Sequence, residues 1–580
     1  MSLSTDAAPQ ATGDRPRLRF RAEEDLVPPL ALILAWLGLV AAIDPRGDFS
    51  LNDDWAYGLP VRALVEAGQL RFTFWQSMTL IAQVFWGALF CLPAGFSFDA
   101  LRVSTLVAGL GGVLALYGLL RHYRADRTAA LIGALAFAVN PLYLGVSCTF
   151  MTDIPFTALM IFSVLALARG LDSGRDRAVW TGLAAAFAAL FIRQLALAAF
   201  LGFLIASPLK YGFGRRWLIR GVLPLLIAVA SLWCFSRLLD MSGRLPGFYY
   251  LKAGTLKLVL VDLLHLHPGA LKPALSAALM MMMFAGMLAS PWLALLGPSL
   301  IGRGAPAARR VRLGWVIGFT VLATAALAAT GRLMPMTGNI MGDFKMGILS
   351  LTGQPPRGPP KAFWIVVTAV ASAGASILLL IVLELVAAIA SRRTDPETAD
   401  RRCHAVFLIA VGVLYFGPLG LPYQLMLDRY VLLILALFMA LALKVPGIER
   451  RRPPAAAVAA SLVLTAALAG YSVATIHDYF AWQRASWTAC LDLMDNRGIP
   501  PDEINGGFEF NNQLPNWRGI YTTSVKGDLV ADADSRPYSV AYSERPGHEL
   551  IGRRGCATWL PYSPREILVL RRTATAPDGR

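Results

Sequence analysis

Long apolar segments alternate with short polar segments along most of the chain. Apolar runs recur from about Pro28 to Tyr471, and each is long enough to cross the ~30 Å hydrocarbon core of a membrane as a helix. Backbone groups cannot stay unpaired in lipid, and the strict alternation of a β-barrel is missing. The pattern therefore predicts an all-α polytopic membrane protein.

About thirteen transmembrane helices are expected from this pattern. The first run could also be a cleaved signal peptide, but we favour an uncleaved span because the same pattern continues along the chain. The predicted spans cover residues 29–43, 101–120, 128–145, 154–169, 178–192, 195–209, 221–238, 273–299, 313–330, 361–390, 405–417, 431–443 and 455–472.

The basic residues give the expected orientation. The net charge is +16, and Lys and Arg cluster in every second polar segment, which is the positive-inside pattern. This distribution favours membrane topology over a nucleic-acid partner. It predicts a cytoplasmic N-terminus and an external C-terminus.

Three regions are predicted. Residues 1–27 form a disordered cytoplasmic tail, residues 28–472 a transmembrane domain, and residues 473–580 a small mixed α/β domain outside the cytoplasm. An apolar stretch at 78–93 is too short for a span and predicts an outer juxtamembrane helix.

The predicted external domain contains two cysteines and several tryptophans. Cys490 and Cys556 are either a disulfide or two free thiols. The rings of Trp482, Trp487 and Trp517 are either sugar-stacking surfaces or part of the core.

Two acidic sites lie at predicted outer ends of spans. Asp53 and Asp54 follow the first span, and Asp153 opens the fourth. Each site has a structural explanation as a helix cap. Each also has a functional one, because a carboxylate at a membrane boundary can act as a general base or hold a metal ion.

Two arginines also lie on the predicted outer side, against the positive-inside trend. Arg193 interrupts an apolar hairpin, and Arg429 precedes Tyr430 at the start of the twelfth span. Arginine keeps its charge and binds phosphate through two parallel hydrogen bonds. The alternatives are an ion pair with Asp428 for Arg429 and snorkelling to lipid head groups for Arg193.

The order of these motifs resembles the C-type glycosyltransferase superfamily, and within it the bacterial family-39-like enzymes. These include aminoarabinose, galacturonosyl and protein-mannosyl transferases. Asp53-Asp54-Trp55-Ala56-Tyr57 resembles the family's Asp-Glu-x-x-Tyr motif with Asp in place of Glu. Asp153-Ile154-Pro155 resembles its Asp-x-Pro motif, and Arg193 and Arg429-Tyr430 resemble its basic positions.

The resemblance implies a hexosyl- or pentosyltransferase with a polyprenyl-phosphate-linked sugar as donor co-substrate. The acceptor would be an envelope glycolipid, polysaccharide or protein, and transfer would invert the anomeric carbon. The resemblance also implies a location in the bacterial inner membrane, with the active site and the C-terminal domain in the periplasm. Asp53, Asp54 and Asp153 are then the expected catalytic residues. The resemblance does not decide whether Asp54 and Asp153 bind a divalent cation.

The resemblance also implies roles for the remaining site residues. We expect Arg193, Arg429 and Tyr430 to bind the donor phosphate, and Tyr57 and Gln76 to contact the substrate. A transporter or flippase of lipid-linked substrates is the main alternative, and it predicts charges near the bilayer midplane. The chain has no P-loop or other nucleotide motif, which disfavours ATP-driven transport.

Overall fold

The computed structural model describes residues 22–249, 254, 257–258, 261, 264–265, 268–331, 333, 339–342, 345–347, 349–390, 395–420, 427–448, 452–514 and 535–573. The predicted disordered tail lies almost entirely outside these residues. Helices dominate the described part. A small sheet lies near the C-terminus.

The α-helices are α1 (Ala22–Ile43), α2 (Asp54–Ala67), α3 (Ile81–Cys91), α4 (Phe98–His122), α5 (Arg127–Ala138), α6 (Pro141–Ser147), α7 (Asp153–Ser173), α8 (Asp176–Leu190), α9 (Leu197–Ala206), α10 (Pro208–Tyr211), α11 (Arg215–Trp217), α12 (Leu223–Met241), α13 (Pro268–Leu288), α14 (Ser290–Ile301), α15 (Pro306–Ala329), α16 (Lys361–Ala390), α17 (Pro396–Gly420), α18 (Val431–Ala442), α19 (Ala455–Asp495) and α20 (Phe508–Gln513). Short 3₁₀ turns cover Gln194–Ala196, Asp428–Tyr430 and Pro501–Glu503, and a π-helical turn covers Leu218–Val222.

The prediction of a polytopic helical membrane protein is confirmed. Within the described residues, nine helices are long and apolar enough to cross a membrane, or eleven if each bent helix pair is one span. The predicted spans 178–192 and 431–443 correspond to the shorter helices α8 and α18. Helix α3, predicted as juxtamembrane, has 11 residues and a length of about 17 Å, too short to cross.

Two of the predicted spans consist of two helices at an angle to each other. The predicted span 128–145 consists of α5 and α6, with an angle of 61° between them. The predicted span 273–299 consists of α13 and α14, with an angle of 89°. Pro141 and Pro291 lie in the first turn after each break. Proline has no N–H to continue the preceding helix but fits the first turn of a new one.

Helix α19 extends well beyond its predicted span. It has 41 residues and is about 60 Å long. The predicted domain boundary at residue 472 therefore falls inside one continuous helix, and the C-terminal unit packs against its second half.

The C-terminal sheet is small and mixed, as predicted. Its strands are β3 (Ile504–Asn505), β4 (Tyr538–Ala541), β5 (His548–Gly555) and β6 (Glu566–Arg572), in the order β3-β4-β6-β5. Only β3 and β4 are parallel. A separate two-stranded sheet pairs β1 (Met341–Gly342) with β2 (Lys345–Met346).

One carboxylate of α19 holds this unit in place. The Asp478 side chain accepts the backbone N–H of Trp559 at 2.7 Å and that of Leu560 at 2.9 Å. Cys490 is buried, and Cys490 and Cys556 are both free thiols. Trp482 and Trp487 are buried, which fits the core alternative, and Trp517 lies outside the described residues.

Candidate active site

Four charged side chains from distant parts of the chain meet at one end of the helix bundle. The Arg429 Nη2 lies 3.3 Å from Asp53 Oδ2, and the Arg429 Nε lies 3.2 Å from Asp153 Oδ2. The Arg193 Nη2 lies 2.9 Å from the same Asp153 oxygen. Arg429 therefore joins the two acids, and Asp153 joins the two arginines. We call these four residues the charge cluster.

The charge cluster is electrically balanced and nearly closed to solvent. Its two arginines and Asp153 have side-chain exposures between 3% and 5%, whereas Asp53 is 13% exposed. Buried charges need partners of opposite sign, and these four provide them for each other. Asp53 is the member most accessible to an incoming molecule.

A tight turn before α2 presents Asp53 to the cluster. Asn52 adopts φ +56°, a left-handed conformation that asparagine tolerates better than most residues. The Asp54 carboxylate stabilises this turn by accepting the N–H of Leu51 at 3.3 Å and that of Phe150 at 2.9 Å. On the other side of the turn, the Trp75 indole N–H donates to Asp53 Oδ1 at 3.1 Å.

Arg429 is directed towards the cluster by its neighbour Asp428. The Asp428 carboxylate accepts the backbone N–H groups of Ile340 at 2.8 Å, Met341 at 2.7 Å and Arg429 at 2.7 Å. Burial raises the pKa of this carboxyl, although the N–H donors oppose the shift. The Arg429 guanidinium also donates to Asn339 Oδ1. Asp428 thus mainly binds backbone N–H groups.

Arg193 is fixed by the hairpin between α8 and α9. The N–H of Leu80 donates to the Ile192 carbonyl at 3.1 Å, which attaches this hairpin to the start of α3. The Arg193 Nε donates to Thr152 Oγ1 at 2.8 Å, directly before Asp153. The ring of Tyr430 lies 5.6 Å from the guanidinium carbon, within the range of a cation–π contact.

The other predicted site residues lie around this cluster. Asp54 is fully buried on the far side of the turn, and the structure does not bring it into the cluster. Tyr57 is buried on the first turn of α2, close enough to Asp53 for its charge to raise the tyrosine pKa, although burial is the larger cause. Gln76 is buried and donates to the Ala56 carbonyl at 2.7 Å. Their roles remain predictions.

The burial of Asp54 predicts a pH-dependent stability. Burial raises the pKa of this carboxyl from 3.8 to about 8, against opposing effects of Arg102 and the Phe150 N–H. Between these values the folded state retains a proton that the unfolded chain has lost, so stability falls as pH rises. We expect the wild-type unfolding temperature in detergent to fall between about pH 5 and pH 8 and the fall to be smaller in Asp54→Asn. Equal slopes in the two proteins would contradict this assignment.

Three residues of the site environment were missed by the sequence analysis: Trp75, Asn339 and Glu509. Glu509 belongs to α20 in the C-terminal unit. Its carboxylate accepts the N–H of Asn52 at 3.2 Å and the hydroxyl of Ser350 at 2.7 Å. Burial raises its pKa. The one sequence signal that could have identified these three residues as part of the site is their aromatic or polar character within a predicted outer segment.

A second charged group lies at the opposite end of α7, about 30 Å from Asp153. Asp172, Asp400 and His404 form the one group of three metal-ligand side chains found among the described residues. The Lys210 ammonium lies 2.5 Å from Asp400 Oδ1 and 3.3 Å from Asp172 Oδ1, so a lysine already provides the positive charge there. Asp54 and Asp153 are not in this group.

A comparison with known families confirms the predicted resemblance. Residues 80–238 match the family described as dolichyl-phosphate-mannose-protein mannosyltransferase. The matched segment contains Asp153 and Arg193 and ends before Arg429. This partial match and the membrane-spanning helices agree with the predicted resemblance to membrane glycosyltransferases of the C-type superfamily. No curated protein sequence matches the chain.

Two solved structures resemble the chain over nearly its whole length. They are crystal structures of ArnT from Cupriavidus metallidurans, one bound to undecaprenyl phosphate and one in the apo state. Both are 13% identical in sequence, and each comparison covers 95% of this chain and 98% of the other. The TM-scores are 0.39 and 0.36.

Proposed function

We propose that the protein transfers a sugar from a polyprenyl-phosphate-linked donor to a cell-envelope acceptor at the outer face of the bacterial inner membrane. The observation that carries this proposal is the charge cluster, in which two acids and two arginines converge at one end of the bundle. The family match over residues 80–238 supports a phosphate-linked lipid as the sugar donor.

Asp53 is the general base of the proposed reaction. It is the most exposed acid of the cluster, and both of its oxygens are already oriented, by Trp75 and by Arg429. The acceptor hydroxyl attacks the anomeric carbon and gives its proton to Asp53. The bond from that carbon to the phosphate oxygen breaks on the opposite face, so the anomeric configuration inverts.

Arg193, Arg429 and Tyr430 bind the donor phosphate in this proposal. The polyprenyl phosphate leaves with the bonding electrons, and its growing negative charge needs fixed positive groups in a site with little water. Both guanidinium groups are buried and held by carboxylates before the donor arrives. Because the two guanidinium groups are already fixed in position, they need to move little during transfer.

An apolar groove beside the cluster suits the lipid part of the donor. It has a volume of about 350 Å³ and lies between α13, α16, α17 and α18. Val431, directly after Tyr430, lines the groove at the N-terminal end of α18, and Leu441 lines it near the C-terminal end of the same helix. A prenyl chain in this groove would keep its phosphate close to Arg429.

Filling this groove should weaken donor binding. Gly412 lines it, and a Cβ at this position would meet Leu437 at 3.7 Å, an ordinary van der Waals contact. Gly412→Ala should therefore behave like the wild type. Gly412→Phe should raise the KM for a long-chain donor by about tenfold, while the KM for a donor with a short prenyl chain stays the same. Equal effects on both donors would exclude this groove as the lipid site.

The proposed function can be tested with purified protein in nanodiscs. A nanodisc has no inner compartment, so appearance of radiolabelled sugar on an acceptor requires transfer rather than transport. Polyprenyl-phosphate sugars and an envelope extract from a strain lacking the protein are the substrates. A labelled product supports the enzyme. Restoration of envelope glycans in cells by a protein that transfers nothing in nanodiscs would favour a flippase.

A further inference from the structure

Trp75, which donates to Asp53, packs against two further aromatic rings, Phe248 and Phe508, that the chemistry described above does not use. The Trp75 and Phe248 ring centroids lie 4.6 Å apart, and those of Trp75 and Phe508 lie 6.1 Å apart. All three side chains are half-buried. They come from the segment after α2, the segment after α12 and the start of α20, so three separate parts of the chain build one surface.

These rings differ from the ordinary aromatic core of the protein. Trp55, which contacts Phe508, is fully buried. Trp75, Phe248 and Phe508 remain partly exposed beside a partly exposed carboxylate. An aromatic face with a hydrogen-bonding group at its edge suits a ligand with one apolar face and a rim of hydroxyl groups.

The surface is held in place by backbone and side-chain hydrogen bonds. The N–H of Phe248 donates to the Phe74 carbonyl at 3.2 Å, which joins the segment after α12 to the segment that contains Trp75. Glu509 accepts the N–H of Asn52 at 3.2 Å, which joins α20 to the Asp53 turn. The rings and the carboxylate are therefore fixed relative to each other before a ligand binds.

We propose that Trp75, Phe248 and Phe508 form a pyranose-binding subsite, and that Trp75 also orients Asp53 through its indole N–H. The proposal rests on the proposed function and identifies where its sugar lies. The C–H face of a pyranose packs on the rings, and its hydroxyl groups face Asp53. The sugar is that of either the donor or the acceptor.

The first test measures sugar binding in nanodiscs. The probes are polyprenyl phosphate, polyprenyl-phosphate-mannose and free methyl α-mannopyranoside. Phe248→Leu and Phe508→Leu keep an apolar side chain but remove the ring, and Phe213→Leu is the matched control at an exposed ring in the loop before α11. Unchanged binding of bare polyprenyl phosphate shows that each variant is folded.

The probes distinguish the two sources of the sugar. Donor-sugar stacking predicts that the two ring variants bind polyprenyl-phosphate-mannose about tenfold more weakly, a loss of 1.4 kcal/mol. Acceptor-sugar stacking predicts a loss of saturation transfer to methyl α-mannopyranoside with donor binding unchanged. Wild-type values for both probes in both ring variants would overturn the subsite.

The second test separates orientation of Asp53 from packing. Trp75→Phe keeps an aromatic ring but loses the N–H that donates to Asp53. We expect turnover to fall about tenfold or more while the KM for the donor stays the same, because the carboxylate loses a donor that orients it and the ring still packs. Unchanged turnover, or a rise in KM with unchanged turnover, would overturn the orienting role.

The two proposals fail in different ways. If the wild-type protein transfers no sugar, the proposed function fails, but the binding probes still show whether the rings hold a pyranose. If the wild type transfers sugar and the ring variants match it in binding and turnover, only the subsite fails.

Discussion

Asp53→Asn should abolish most sugar transfer. Loss of a positioned general base lowers rates by about 100- to 10,000-fold, and asparagine has the same shape but cannot accept the proton. The amide oxygen can keep one of the two hydrogen bonds from Trp75 and Arg429, whereas the amide nitrogen cannot accept the other. The expected loss is therefore mainly in turnover, with a smaller change in donor affinity. Radiolabel transfer in nanodiscs gives the rate, and binding of polyprenyl phosphate gives the affinity.

Asp44→Asn is the matched control for this substitution. Asp44 lies in the same loop and pairs with Arg46, whose side chain is 85% exposed, at the surface. An exposed pair contributes little, so transfer should remain at the wild-type level. Full activity in Asp53→Asn would remove Asp53 from the mechanism.

Arg429→Ala should have the largest combined effect on stability and activity. Arg429 is 4% exposed and contacts Asp53, Asp153 and Asn339. Removing one partner of a buried ion pair costs about 3–5 kcal/mol, because Asp53 loses its arginine partner, although Asp153 retains Arg193. We also expect donor binding to weaken strongly. Thermal unfolding and polyprenyl phosphate binding measure the two effects.

Arg429→Lys separates charge from geometry. A lysine keeps the positive charge, but its single ammonium cannot reach the three separate acceptors that a planar guanidinium reaches. We expect this variant to regain part of the stability and little of the transfer. Arg571→Ala, at an exposed pair with Glu549, is the control and should leave both measurements unchanged. Wild-type donor affinity in Arg429→Ala would limit Arg429 to a structural role.

The helical fold could be predicted because lipid requires apolar runs of sufficient length. The breaks at Pro141 and Pro291 lie inside continuous apolar runs. Such a run indicates that a segment is long enough to span a membrane, but it does not indicate where the helix axis bends. The predicted boundary at residue 472 followed the same apolar pattern. The apolar character of α19 ends there, whereas the helix itself continues to Asp495.

The composition of the charge cluster could be predicted because the positive-inside pattern placed Asp53, Asp153, Arg193 and Arg429 on one membrane face. Which residue contacts which depends on the packing of helices from four regions of the chain. The contributions of Trp75 and Glu509 depend on the same packing. Neither residue lies in a motif that carries chemistry by itself.

The most direct test of the account is an experimental structure in nanodiscs with a non-cleavable polyprenyl-phosphonate-mannose. We predict that the phosphonate lies within hydrogen-bonding distance of Arg193 or Arg429. We also predict that the anomeric carbon faces Asp53 and that the prenyl chain follows the groove along α18. A phosphonate bound away from both arginines, or an Asp53 that faces away from the sugar, would contradict the account.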